Sequence, residues 1–110
     1  MIKVEMTKHA SITRSARFEF IAETVGFGTR EIASYTYTSQ TSTKPSKNVL
    51  MDNGVVFVYS CETGKLVTAF IATIGQGAFI YKHCHGCDRC PRAIMNIFYN
   101  NQDLVDRQPK

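Results

Sequence analysis

The residues best suited to chemistry in this 110-residue chain stand near its start, where Thr7-Lys8-His9-Ala10 is followed by Arg14 and Arg17. In a helix that begins near His9, the residues His9, Thr13 and Arg17 fall at four-residue steps on one face, so an imidazole and a guanidinium address the same ligand. That pair suits a phosphodiester. Cleaving RNA without a metal needs a group of near-neutral pKa to move a proton at the 2'-hydroxyl or the leaving oxygen, and a fixed cation to stabilise the charge that builds on phosphorus. The plainer reading keeps His9 as a helix-flanking residue and the arginines as a solvated face.

A second feature lies in the segment Ser60-Cys61-Glu62-Thr63-Gly64-Lys65-Leu66-Val67-Thr68-Ala69-Phe70, where Thr68 interrupts a strand of hydrophobes. Strict alternation places Thr68 on one sheet face with Leu66 and Phe70. Because an unpartnered buried hydroxyl is costly, Thr68 is expected to point away from the core covered by the first helix. A Lys-His-Ala opening to an Arg-bearing helix, a long loop, and a hairpin of apolar strand, Thr-Gly-Lys turn and Val-Thr-Ala-Phe resembles the small ribonuclease superfamily of barnase, EndoU, colicin and RelE type toxins. The pattern covers about residues 4–74. The resemblance implies a metal-independent endoribonuclease of toxin-antitoxin systems, contact-dependent effectors or phages, with one or two helices packed on a four-stranded antiparallel sheet. It makes His9 the general acid or base, Arg14 or Arg17 the phosphate ligand, and Thr68 a donor to the scissile phosphate. RNA is then the substrate, Lys8 and Lys65 are candidate RNA contacts beside these positions, and a neutralising or target protein is a further partner. The chain departs from that pattern in having no second His before His83.

The third feature is Lys82-His83-Cys84-His85-Gly86-Cys87-Asp88-Arg89-Cys90-Pro91. Cys84 and Cys87 have the C-x2-C spacing that lets one turn present two thiolates to a structural zinc, with Cys90 and His85 completing a tetrahedral set, or His83 or Cys61 in place of one of them. An iron-sulfur cluster is discounted, since Pro91 directly follows Cys90 and the fourth Cys at x3 spacing is absent. Free thiols in a loop are the alternative. Fourth, Tyr35 and Tyr37 precede the Lys44-to-Lys47 segment, an aromatic and basic stretch able to stack bases and equally readable as a twisted edge strand.

These residues must be positioned by a single core, since 110 residues with 44% hydrophobic and 20% charged content fit one globular domain. The net charge of +4 is spread evenly along the chain, so a nucleic-acid site has to be assembled by folding from scattered cations. The longest apolar run, Val55 to Tyr59, is too short to span a bilayer, and Met1 to Met6 alternates like a strand instead of forming a signal-peptide core. With three of four cysteines clustered, reduced thiols in a cytoplasmic protein are expected.

The fold class read from the pattern is α+β. A first helix is expected over about Ser11 to Val25, stopped by Gly26 and Gly28, and a short second helix is expected behind Thr29 through Ala33. Ser34 to Asn48, with eight Ser or Thr, reads as a short polar strand running into a mobile loop over about 38–48. Val49 to Met51, Val55 to Ser60 and Leu66 to Ile74 alternate with the turn residues Asp52-Asn53-Gly54 and Glu62-Thr63-Gly64-Lys65, which predicts an antiparallel meander. Val55 to Val58, apolar on both faces, predicts a central strand covered on both sides. After a break at Gly75-Gln76-Gly77, Ala78 to Tyr81 is expected as a last strand. Next come a Cys-rich loop over 83–91, a short helix with Ile94, Met95, Phe98 and Tyr99 inward, and a polar tail over 102–110. A non-enzymatic, phage-like or accessory protein that binds a host protein or nucleic acid, with a zinc-stiffened loop, fits the same elements.

Overall fold

The computed structural model describes residues 15–38 and 44–109. The order is α1 (Ser15–Thr24), β1 (Glu31–Thr38), β2 (Pro45–Met51), β3 (Val55–Ser60), β4 (Leu66–Ile71), α2 (Ile74–His85), α3 (Arg92–Asn100) and α4 (Gln102–Arg107). The strands form one antiparallel sheet in the order β1-β2-β3-β4, the meander that the turn residues predict. The β2–β3 turn needs Gly54, whose φ of 90° is a backbone region that L side chains rarely adopt. Its amide donates to the Met51 carbonyl at 3.1 Å.

Helices cover both faces of the sheet. On one face Ile21 of α1 packs with Val49, Met51, Val55, Phe57, Leu66, Ala69 and Ile71, with Leu104 and Val105 of α4 against the same cluster. On the other, Ile80 of α2 and Phe98 of α3 pack with Ala33, Leu50, Val56, Val58 and Ala72. Val55 to Val58 is therefore buried throughout, as a central strand covered on both sides requires. Burying each such side chain contributes about 1.5–3 kcal/mol. At the far end, buried Asn101 donates its side-chain amide to the Asn53 carbonyl at 2.8 Å, which ties the α3–α4 corner to the β2–β3 turn.

Several elements differ from the sequence expectation. The segment expected as a short helix over Thr29 to Ala33 instead leads into β1, because Ala33 to Thr38 pairs residue by residue with β2, after an irregularity at Ile32. Thr29 caps no helix: its amide donates to Asp52 Oδ1 at 3.0 Å and its hydroxyl to Asp52 Oδ2, and these bonds hold the Asp52 carboxyl below its ordinary pKa. β4 ends at Ile71, and the expected strand over Ala78 to Tyr81 lies inside α2. Thr73 and Gln76 form a capping box there, each side chain bonding the other's backbone amide, at 3.1 and 2.9 Å. The helix therefore starts across the expected Gly break.

Gly77 has a second role, since a Cβ at that position would stand 2.3 Å from two ring carbons of Phe98; the missing side chain lets α2 close onto α3. The expected Cys-rich loop begins only after Gly86, because His83, Cys84 and His85 belong to α2. Tyr99 faces solvent, 56% exposed, instead of joining the apolar face of α3. The tail expected to be polar forms α4 and then returns to the sheet, where the Gln108 carboxamide bonds both the amide and the carbonyl of Ile71, at 2.9 and 3.0 Å. β4 is an edge strand, and this contact covers part of its open ladder. Among the described residues no helix is long and apolar enough to cross a membrane.

Candidate functional site

The register of β3 and β4 decides where Thr68 points. Thr68 pairs with Val58, but Tyr59 pairs with Leu66, so Val67 is an extra residue bulged into the ladder. Leu66 therefore turns into the α1 side of the sheet, while Thr68 and Phe70 stay on the α2 side, which corrects the shared face expected for Leu66 and Thr68. Thr68 lies outside the core covered by α1, as its hydroxyl requires.

Arg17 nevertheless reaches it from α1 around the open edge of β4. Its Nη1 donates to Thr68 Oγ1 at 3.4 Å and its Nε donates to the Pro109 carbonyl at 2.8 Å. Two residues 51 positions apart in the chain are thereby brought together with the C-terminal segment beside them. Lys8, His9 and Arg14 lie outside the described residues. Lys65 stands exposed at the β3–β4 turn and forms no wall of the adjoining cleft.

That cleft, of about 630 Å³, opens over the outer part of the α2-side face. One cross-strand row, Tyr35, Asn48, Val58 and Thr68, runs over all four strands, and Tyr37 and Ser46 form the next pair. Asn48, Ser46 and Thr68 supply polar groups, Val58, Val67, Phe70 and Ile80 the apolar floor, and Tyr37 and Phe79 two aromatic walls. Gly75, with no side chain, leaves the α2 side open. A second hollow of about 470 Å³ shares Phe70 and Gln76 with the first and holds Arg17, Asp106 and Gln108. Arg17 and Thr68 thus face adjoining hollows on the two sides of the β4 edge.

The aromatic end is ordered by ring contacts. Tyr35 stacks parallel to Tyr37 at 6.0 Å and meets Phe79 edge-on at 5.2 Å, and His83 lies 4.2 Å from Phe79 and 5.1 Å from Tyr35. Tyr35 and Tyr37 are the alternating pair that stands out in the sequence. Phe79 and Asn48 do not stand out there. The i, i+4 spacing of Gly75, Phe79 and His83 points to them only once the Thr73–Gln76 cap marks a helix, and Asn48 only once the register is known. The expected basic stretch is partly neutralised, since Lys44 pairs with Glu62 at 2.8 Å and this partner raises its pKa.

The zinc set is not assembled. Among the described residues no group of three or more His, Cys, Asp or Glu side chains is placed to hold a metal ion. Cys84 is exposed on α2, Cys87 and Cys90 are half-buried in the loop after it, and Cys61 is exposed in the β3–β4 turn. His85 donates from Nε2 to the Ile32 carbonyl at 2.9 Å, a bond that engages one of the two ring nitrogens a metal would use. Burial pushes the Cys90 thiol above its ordinary pKa.

No known family model, curated protein or solved structure matches this chain.

Proposed function

We propose that this chain is a metal-independent endoribonuclease of the toxin type, with RNA as its substrate. The observation that carries the reading is the Arg17–Thr68 contact at the edge of an open cleft. In the reaction the 2'-oxygen bonds to the adjacent phosphorus while the bond to the 5'-oxygen breaks, leaving a 2',3'-cyclic phosphate and a free 5'-hydroxyl. One proton leaves the 2'-hydroxyl and one is delivered to the departing 5'-oxygen. Negative charge grows on the non-bridging oxygens of the phosphorane, and a guanidinium with a neighbouring hydroxyl donor is the type of group that stabilises it. Arg17 supplies the cation and Thr68 the hydroxyl. His9, eight positions before Arg17 in sequence, is the proposed proton carrier.

The test is cleavage of an end-labelled single-stranded RNA in the presence of EDTA, with the 2',3'-cyclic phosphate identified in the product. His9→Ala and Arg17→Ala should each lower the rate by about 100-fold or more, and Thr68→Val, which keeps the shape and removes the hydroxyl, by about ten-fold. EDTA-resistant cleavage that persists in His9→Ala would move the proton transfer to His83 or His85. Wild-type protein that cleaves no single-stranded, structured or ribosome-bound RNA would sink the reading in favour of a non-enzymatic protein that binds a host protein or nucleic acid.

A further inference from the structure

The geometry points to a subsite for one unpaired nucleobase at the aromatic end of the cleft, with Phe79 as its stacking platform and the Asn48 carboxamide reading its edge. The inference rests on the proposed RNA substrate and deepens it. Phe79 is 45% exposed and Tyr37 36% exposed, so both present apolar ring area to the cleft. Phe79 is also held in place, by Tyr35 edge-on at 5.2 Å and His83 at 4.2 Å, so little rotamer freedom is left to lose when a ligand stacks on it. An aromatic face fixed before binding is what unpaired bases use, because every base offers a π-face and stacking needs no particular sequence.

Discrimination comes from the floor. Asn48 is half-buried, lies in the cleft between Tyr35 and Val58 in the cross-strand row, and its side chain has no hydrogen-bond partner among the described residues. A carboxamide offers one donor and one acceptor side by side, the complement of a base edge that does the same. Thr68 lines the same cleft, so a nucleotide whose phosphate meets Arg17 and Thr68 has this subsite within the cavity that holds its neighbour. Gly75 keeps the entrance open, since nothing lies within 4 Å of where its Cβ would be.

The experiment reads binding without cleavage, by fluorescence anisotropy of 2'-O-methyl pentanucleotides that differ only in the central base, one of them abasic at that position. Methylation removes the 2'-hydroxyl nucleophile, so the result does not depend on catalysis. Phe79→Ala should weaken the wild-type complex by about ten-fold or more, Phe79→Tyr should restore it, and the abasic strand should bind both proteins alike. Asn48→Asp presents two acceptors and should shift the ranking of bases toward guanine, whose N1 and N2 both donate. Thermal melts of each variant verify the fold. The subsite is overturned if Phe79→Ala, folded, binds every strand as wild type does, or if Asn48→Asp leaves the ranking of bases unchanged. Phe79-dependent, base-ranked binding by a protein that cleaves no RNA would uphold the subsite while refuting the ribonuclease reading.

Discussion

Replacing Gly77 by alanine sets two physical effects against each other. Helix propensity favours the change: glycine within a helix costs about 1 kcal/mol relative to alanine. Packing opposes it, because the new Cβ would stand 2.3 Å from Cε1 and Cζ of Phe98 and 2.7 Å from Cδ1, where carbon pairs prefer about 3.5–4.0 Å. The ring must retreat by more than about 1 Å. It has nowhere to go, since Phe98 is fully buried in the cluster with Leu50, Val56 and Ile80. Overpacking of this kind costs about 1–3 kcal/mol, and a clash with a closed ring belongs at the upper end. Gly77→Ala is therefore expected to destabilise the fold by about 1–2 kcal/mol after the propensity gain, measured by urea unfolding followed by circular dichroism. In the Gly77→Ala background, Phe98→Leu should cost clearly less than it does alone, with an interaction energy of about 1 kcal/mol or more. A Gly77→Ala protein as stable as wild type, or more stable, would refute the close approach of α2 and α3. Because α2 carries Phe79, the same substitution should also weaken oligonucleotide binding by displacing that wall of the cleft.

Two further outcomes are expected. The Asp52 carboxyl is held below its ordinary pKa chiefly by the Thr29 hydroxyl and amide, so its contribution to stability is complete above the unfolded value of about 3.9 and is lost as pH falls through the lower folded value. Asp52→Asn should accordingly flatten the acid limb of stability against pH below about pH 4, and equal acid limbs in the two proteins would show that these bonds do not persist in solution. For the cysteines, an aromatic disulfide reagent should label exposed Cys61 and Cys84 first and Cys90 more slowly, because burial both shields that thiol and raises its pKa. One tightly held zinc per chain, with Cys84, Cys87 and Cys90 all protected, would show that the loop gathers ligands that stand apart here.

The turns and the central strand could be read from the sequence because their causes are local. Asp52-Asn53-Gly54 and Glu62-Thr63-Gly64-Lys65 place positive-φ glycines between runs of β-formers, and the unbroken apolar stretch from Val55 to Val58 has no solvent face to offer. The segments that could not be read this way depend on partners distant in the chain. Glu31 and Ala33 join the strand because β2 completes their ladder, and Gly77 sits within the helix Ile74 to His85 because its bare backbone fits the Phe98 ring. Chemistry divides in the same way. Residue type and spacing marked Arg17, Thr68, Tyr35 and Tyr37, but whether they meet depends on register, which no local pattern encodes. A single bulged residue, Val67, turns Thr68 toward the cleft while Leu66 stays in the core, and only the folded sheet edge lets Arg17 reach it from the opposite layer.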